Sequence, residues 1–227
     1  MKIIESYPSI FDRVATVQCS VGNPNLWIVN ERSTSSKIRQ LRVSFTASDY
    51  LCLDEAATKQ MPDVTTSRSS FLVDDVCDGI GIFQTAASTT MVFVDLKSNF
   101  DTNKIQHGFA QTLASLVKMH GMMSLCDGYN LADTSLVFVV ACCCFPDEDK
   151  ETKVLDWMLR QRTCDHGSFV ARVAYPLYNK GSIQVKLGDF PQLITLPLNS
   201  DLYNKDVKLT LVRSAHYADN YADYTLP

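Results

Sequence analysis

Two apolar runs, residues 79–84 and 91–96, stand either side of the small polar residues 85–90. Apolar stretches joined by a short polar turn are how a β-hairpin reads, so this stretch predicts two antiparallel strands. Further on, Ile105, Phe109, Leu113, Leu116 and Val117 recur at helical spacing. They predict a helix, capped at Asp101 or Thr102, whose apolar stripe faces a sheet. Beside that stripe Lys104, Gly108, Gln111 and Ser115 form a second one, small and polar, while His107 is read as lying on another face. Residues 135–144, SLVFVVACCC, form an unbroken apolar run, the pattern of a strand buried on both faces. A helix between two such strands makes a right-handed βαβ crossover, which predicts a partly parallel sheet.

Upstream, residues 26–30 and 38–45 predict a hairpin connected by the polar residues 31–37. Ser48 and Asp49 suit a helix cap, and residues 50–61 are rich in helix formers until Pro62 and Asp63, so a helix is expected there. Residues 69–76 are expected to supply the first core strand. Past the buried run, an acidic loop precedes a second outer helix over residues 151–162, with Val154, Leu155, Met158 and Leu159 inward. Residues 169–175, 182–187, 193–198 and 207–212 then read as the short strands of a meander. The tail, which repeats Tyr-Ala-Asp at Tyr217 and Tyr221, reads as a frayed terminus, the alternative being a segment that docks into a partner.

The fold class that follows is α/β, in its α+β variety: a central mixed sheet with an αβββαβ core flanked by helices, plus a C-terminal β-rich extension. No linker rich in Gly, Ser or Pro divides the chain, so residues 1–227 are expected to be a single domain. Within it lie an N-terminal hairpin region over 1–48, the core over 49–145, and a helix and meander elaboration over 146–227.

Acidic residues stand where the hairpin strands meet open space: Asp78 at the mouth of the first, Asp95 near the end of the second. Lys97 follows two positions later, and alternation along a strand puts Asp95 and Lys97 on the same side. Two carboxylates of this kind suit Mg²⁺, which keeps several waters and takes only one or two protein carboxylates. A metal so held activates a water and neutralises a phosphodiester, while a nearby ammonium positions the nucleophile. The pattern points to metal-assisted phosphodiester hydrolysis. The competing reading is plain: Asp at a strand end commonly caps a turn, and D-x-K occurs by chance. Asp74 or Asp75 replaces Asp78 if the strand register is off by a few residues. Asp78 is preferred because it directly precedes the alternating run, where Gly79 and Gly81 are expected to leave room for backbone to come close to substrate.

With Asp78 opening one strand, Asp95-Leu96-Lys97 on the next and Gln111 on the following helix, residues 50–140 resemble the PD-(D/E)XK, or restriction-endonuclease-like, nucleases. Cys77 stands where their motif usually has Pro. The resemblance implies that Asp78, Asp95, Lys97 and Gln111 make the catalytic site, with Asp78 and Asp95 holding Mg²⁺ or Mn²⁺. Gln111 would then help hold substrate or a site carboxylate, although an exposed Gln on a helix is also ordinary. Asp54 and Glu55 on the expected first helix become further candidate ligands, the alternative being a solvated face. The implied activity is hydrolysis of phosphodiester bonds of DNA, with RNA open, by the cutting subunit of a multi-protein bacterial defence or restriction-type system.

Charge and cysteine content narrow this picture. The chain carries a net charge of −4, whereas proteins that grip nucleic acid unaided usually show a basic surface. Recognition is therefore expected to be shared with a protein partner or, in a homodimer, with a second copy. Arg32, Lys37, Arg39 and Arg42 lie close together in sequence. Arg39 and Arg42, together with Lys104, are the candidate nucleic-acid contacts, the alternative for the arginines being a solvated loop. The 8 cysteines include no C-x-x-C pair, and Cys142, Cys143 and Cys144 would alternate faces on a strand. Buried free thiols in a reducing cytoplasm are thus expected in place of zinc or disulfides. Glu5 and Asp12 interrupt the apolar N-terminus, so export is not expected, and no run is long enough to cross a bilayer. No Ser-His-Asp elbow, P-loop or G-x-G-x-x-G competes for the chemistry. Two other functions stay open: a nuclease-like module that has lost catalysis and binds nucleic acid or a protein, and a structural interaction protein.

Overall fold

A computed structural model of the chain describes residues 3–11, 22, 24–61, 76–165, 167–193 and 199–227. Among the described residues nine strands fall into two sheets. β1 (Asn25–Asn30) and β2 (Gln40–Phe45) form the expected antiparallel hairpin, and β9 (Tyr221–Thr225) pairs with β2 in parallel to complete a three-stranded sheet. The second sheet has six strands: β3 (Asp49–Asp54), β4 (Gly79–Gln84), β5 (Thr89–Lys97), β6 (Thr134–Cys142), β8 (Asp206–Arg213) and β7 (Ser182–Lys186), in that spatial order. β3, β4 and β5 are antiparallel neighbours, β5, β6 and β8 run parallel, and β7 closes the far edge antiparallel to β8.

Alternation along the central strands sorts their side chains onto two faces. Ile80, Ile82, Met91, Phe93, Phe138 and Val140 turn towards the helices. Phe83, Val92, Val94, Leu96, Val137 and Val139 turn towards Trp27, Val43 and Phe45 of the small sheet. The molecule is thus three layers, small sheet, large sheet and helices, with apolar seams on both sides of the large sheet. Each large side chain sealed in these seams contributes about 1.5–3 kcal/mol. The helical layer is led by α3 (Thr102–Met123), whose N-cap Asp101 accepts from the backbone N–H groups of Asn103 and Lys104. It forms the crossover from β5 to β6 that the apolar spacing predicts, and α4 (Glu148–Cys164) lies beyond it.

Three expectations fail, each through contacts made far along the chain. The helix expected over residues 50–61 is instead strand β3, followed by a single short turn, α2 (Glu55–Thr58), capped by Asp54. Leu51 and Leu53 pair with Ile82 and Ile80 on the helical side, so pairing with the free edge of β4 outweighs local helix propensity. β3 is therefore the third antiparallel strand that residues 69–76 were expected to supply; of those, residues 69–75, Asp74 and Asp75 included, lie outside the described residues. The strand expected over residues 169–175 is a π-helical turn, Val170–Ala174, running into α5 (Tyr175–Lys180), because Ala171, Val173, Ala174, Leu177 and Tyr178 bury a helical face. The tail does not fray: Ala222 and Leu226 are buried, and Leu226 N–H donates to the Ser44 carbonyl at 2.9 Å.

Nor is the C-terminal part a simple meander. β8 inserts beside β6 in the large sheet, while β9 crosses to the small one. The strand expected over residues 193–198 falls largely outside the described residues.

Candidate active site

The polar stripe of α3 faces the end of β5, and each of its members has a distinct role. Gly108 makes room: a Cβ there would stand 2.8 Å from Asp95 Oδ2 and 3.0 Å from Val140. Gln111 Oε1 accepts from Lys97 Nζ at 2.6 Å, and Gln111 Nε2 donates to the Val76 carbonyl at 3.2 Å. Ser115 Oγ accepts from the Cys77 N–H at 2.9 Å. The helix therefore ties down both the chain entering β4 and the ammonium leaving β5. Lys104, at the head of the stripe, is exposed.

Asp95 and Lys97 project to the same side of β5, as alternation requires, with Lys97 Nζ 2.6 Å from Asp95 Oδ2. That oxygen is sealed from solvent and has an ion-pair contact without hydrogen-bond geometry. Asp78 holds its own place through the backbone: its N–H donates to the Val94 carbonyl at 2.9 Å and its Oδ2 accepts from the Leu96 N–H at 2.6 Å. Asp95 is 1% exposed and Asp78 9%. Burial raises the pKa of Asp78 and the charge of Asp95 raises it further, against the opposing Leu96 N–H and Lys97. Burial likewise raises Asp95, opposed by Lys97 and His107. Two buried carboxylates, one of which feels the charge of the other, make an electrostatic arrangement that a cation relieves.

A cleft of about 400 Å³ opens at the carboxyl end of β5, lined among others by Glu31, Leu96, Lys97, Lys104 and His107. Open α/β sheets bind ligands at such strand ends. Lys97 reaches its wall, whereas Asp78 and Asp95 are buried and do not line it. Among the described residues no set of three or more His, Cys, Asp or Glu side chains gathers as a metal group. Two acids with the remaining positions left to water and phosphate fit Mg²⁺, which rarely uses an all-protein cage. The buried Asp95 Oδ2, met by Lys97 alone, is the carboxylate oxygen that such an ion would contact.

Several residues singled out from the sequence have other contacts in the structure. Gly79 and Gly81 do not make way for substrate; a Cβ on Gly79 would meet Trp27 and Val29 of the small sheet at 3.0 Å, and one on Gly81 would meet the Phe83 ring of its own strand at 2.5 Å and Trp27 at 2.9 Å, so they make room for these packed side chains. Arg42 is bound bidentately by Asp223, at 2.7 and 2.9 Å, and its guanidinium lies 3.6 Å from the Tyr221 ring centroid. Arg39 donates to the Thr34 carbonyl at 2.6 Å. Both arginines are engaged in holding the small sheet and its loop. Asp54 caps α2, and Glu55 pairs with Lys59 and with Arg32, so neither acid joins Asp78 and Asp95.

Two residues that the spacing argument assigned elsewhere belong here. His107 sits three positions after Lys104, close to one helical turn, and the two line the cleft together, so it was identifiable from that interval. Glu31 arrives from the small sheet just after β1, lines the cleft beside Lys97, and its charge raises both Asp78 and Asp95. Nothing in its local sequence announces it, since only the packing of one sheet on the other brings it to β5.

Among the described residues no helix is long and apolar enough to cross a membrane. Seven cysteines are free there, five of them buried. Compared with protein-family models, curated proteins and solved structures, the chain matches none, so the reading of the site rests on its own geometry.

Proposed function

We propose that the protein is a Mg²⁺- or Mn²⁺-dependent nuclease of PD-(D/E)XK type that hydrolyses phosphodiester bonds of DNA. The observation that carries this reading is the set on one sheet end: Asp95, Lys97 and Gln111 joined by an ion pair and a hydrogen bond, with Asp78 fixed on the Leu96 N–H close enough to feel the charge of Asp95. Asp78 and Asp95 would hold the ion, whose contribution when bound is to lower the pKa of a water and offset charge on the phosphodiester. Lys97, held between Asp95 and Gln111 at the wall of the cleft, presents a positive charge to a phosphate oxygen or to the attacking water. Gln111 positions Lys97 and, through Val76, the chain that carries Asp78. The net charge of −4 supports a partner subunit or a second copy that loads substrate, as in a bacterial defence or restriction-type assembly. Buried free thiols support a reducing, cytoplasmic setting.

The test is plasmid DNA, and an RNA substrate beside it, incubated with the purified protein and Mg²⁺ or Mn²⁺. Nicking or cutting that disappears in Asp95→Asn and Lys97→Ala, with melting temperatures kept within a few degrees, supports the proposal. Intact nucleic acid, together with a melting temperature indifferent to either ion, overturns it. A second reading has one observation in its favour, the nearly complete burial of Asp95: the same fold without catalysis, where Asp95 and Lys97 are a structural ion pair. That reading expects Asp95→Asn to lower the melting temperature clearly, by leaving the Lys97 ammonium without its partner, and no ion to matter.

A further inference from the structure

We propose that unpaired nucleotides bind in the aromatic cleft between the starts of α3 and α4, with Trp157 and Tyr217 as stacking platforms. The proposal deepens the nuclease reading and rests on it for the location of the scissile phosphate. A cleft of about 420 Å³ lies next to the candidate site and shares Asn103 and Lys104 with it, so the two run together. Its floor is Phe100 and Phe145, whose ring centroids are 5.6 Å apart. On its walls Trp157 is 44% exposed and Tyr217 36%, the latter with Lys37 over one face of its ring.

Cations accompany the rings. Lys104 comes from α3 and Lys150 from α4, and Lys37 Nζ lies 3.8 Å from the Tyr217 ring centroid. Asp101, the acid on the cleft wall, is engaged as the cap of α3. Flat aromatic faces interleaved with amines are what single-stranded nucleic acid uses, since every base has a π-face and every linkage a charge. The volume is in the range of small-molecule sites and suits about one or two nucleotides, too small for a duplex to enter. Base stacking also resolves the mismatch between an acidic chain and a polyanionic substrate, because it supplies affinity without many phosphate contacts.

The experiment uses the Asp95→Asn protein and a short labelled oligothymidylate, with oligouridylate and a duplex of the same length beside it. The chain has 2 tryptophans, and Trp27 is 1% exposed, so intrinsic fluorescence reports Trp157 at the surface. Either single strand should quench it and the duplex should not. By anisotropy, Trp157→Ala should weaken binding about tenfold and Trp157→Phe should restore most of it. With two or three lysines in contact, log Kd should vary with log salt with a slope of only about 2. Equal affinity for single strand and duplex, or an affinity unmoved in Trp157→Ala, overturns the proposal. The two readings fail separately: a plasmid cut by wild type without single-strand preference leaves the nuclease standing, and quenching without any cutting leaves the stacking cleft standing.

Discussion

Gly108 of α3 and Asp95 of β5 are fitted to each other: any side chain at position 108 would press within 2.8 Å of the Asp95 carboxylate. A helix this close to a buried acid needs a residue with no Cβ at that point. Gly108→Ala should therefore be destabilising even though Ala is the better helix former by about 1 kcal/mol. The overpacking costs about 1–3 kcal/mol, so a small net loss is expected in urea unfolding. Displacement of Asp95 should lower cleavage far more than stability, and unchanged cleavage would show that the carboxylate has no catalytic part.

Lys97 and Gln111 separate charge from positioning. Lys97→Met removes the ammonium beside Asp95, and cleavage should fall by about 100-fold or more. Gln111→Ala leaves that charge in place and loosens it, so a drop of about 10- to 100-fold is expected, with Gln111→Glu holding Lys97 better than Ala does. Single-turnover rates at saturating substrate distinguish the two. A Gln111→Ala rate equal to wild type would remove it from the site.

The raised pKa of Asp78 sets a sign for stability against pH. In the unfolded chain this carboxyl ionises at about 4, whereas burial in the folded protein keeps it protonated to higher pH. Between those limits the folded state binds the extra proton, so stability is highest at the acidic end and declines as pH rises through the folded value. Asp78→Asn has no proton to lose and keeps an oxygen for the Leu96 N–H. Its melting temperature relative to wild type should increase from acidic to neutral pH, and added Mg²⁺ should reduce that gap by stabilising only the wild type. A gap that is flat with pH would contradict the assigned environment of Asp78.

Arg42 and Lys104 are both basic, and their roles should diverge. Arg42 is held by Asp223 against Tyr221, so Arg42→Ala should lower stability by under about 1 kcal/mol and leave nucleic-acid affinity and its salt dependence unchanged. Lys104 lines both clefts, so Lys104→Ala should weaken binding and reduce the salt slope by about 0.7. Titrations at several salt concentrations with both variants decide it, and the opposite assignment would hold if Arg42 alone changed the slope.

Elements whose evidence is local were readable from the chain. The β4–β5 hairpin, α3 with its two stripes, the buried β6 and the shared side of Asp95 and Lys97 all follow from periods of 2.0 and 3.6 residues, which act between near neighbours. The Gln111 to Lys97 hydrogen bond extends that logic by a single crossover. Residues 49–54 became a strand because β4 offered them an edge, and residues 221–225 were ordered because β2 did. Pairing across long separations is absent from any local window, so propensity alone misassigned both. The same reason hid Glu31 and redirected Gly79, Gly81 and Arg42: the cleft that Glu31 lines with Lys97, and the neighbours Trp27 and Asp223, belong to other layers or to the other end of the chain. Local sequence determined which face each side chain takes, and only the stacking of the two sheets decided what that face meets.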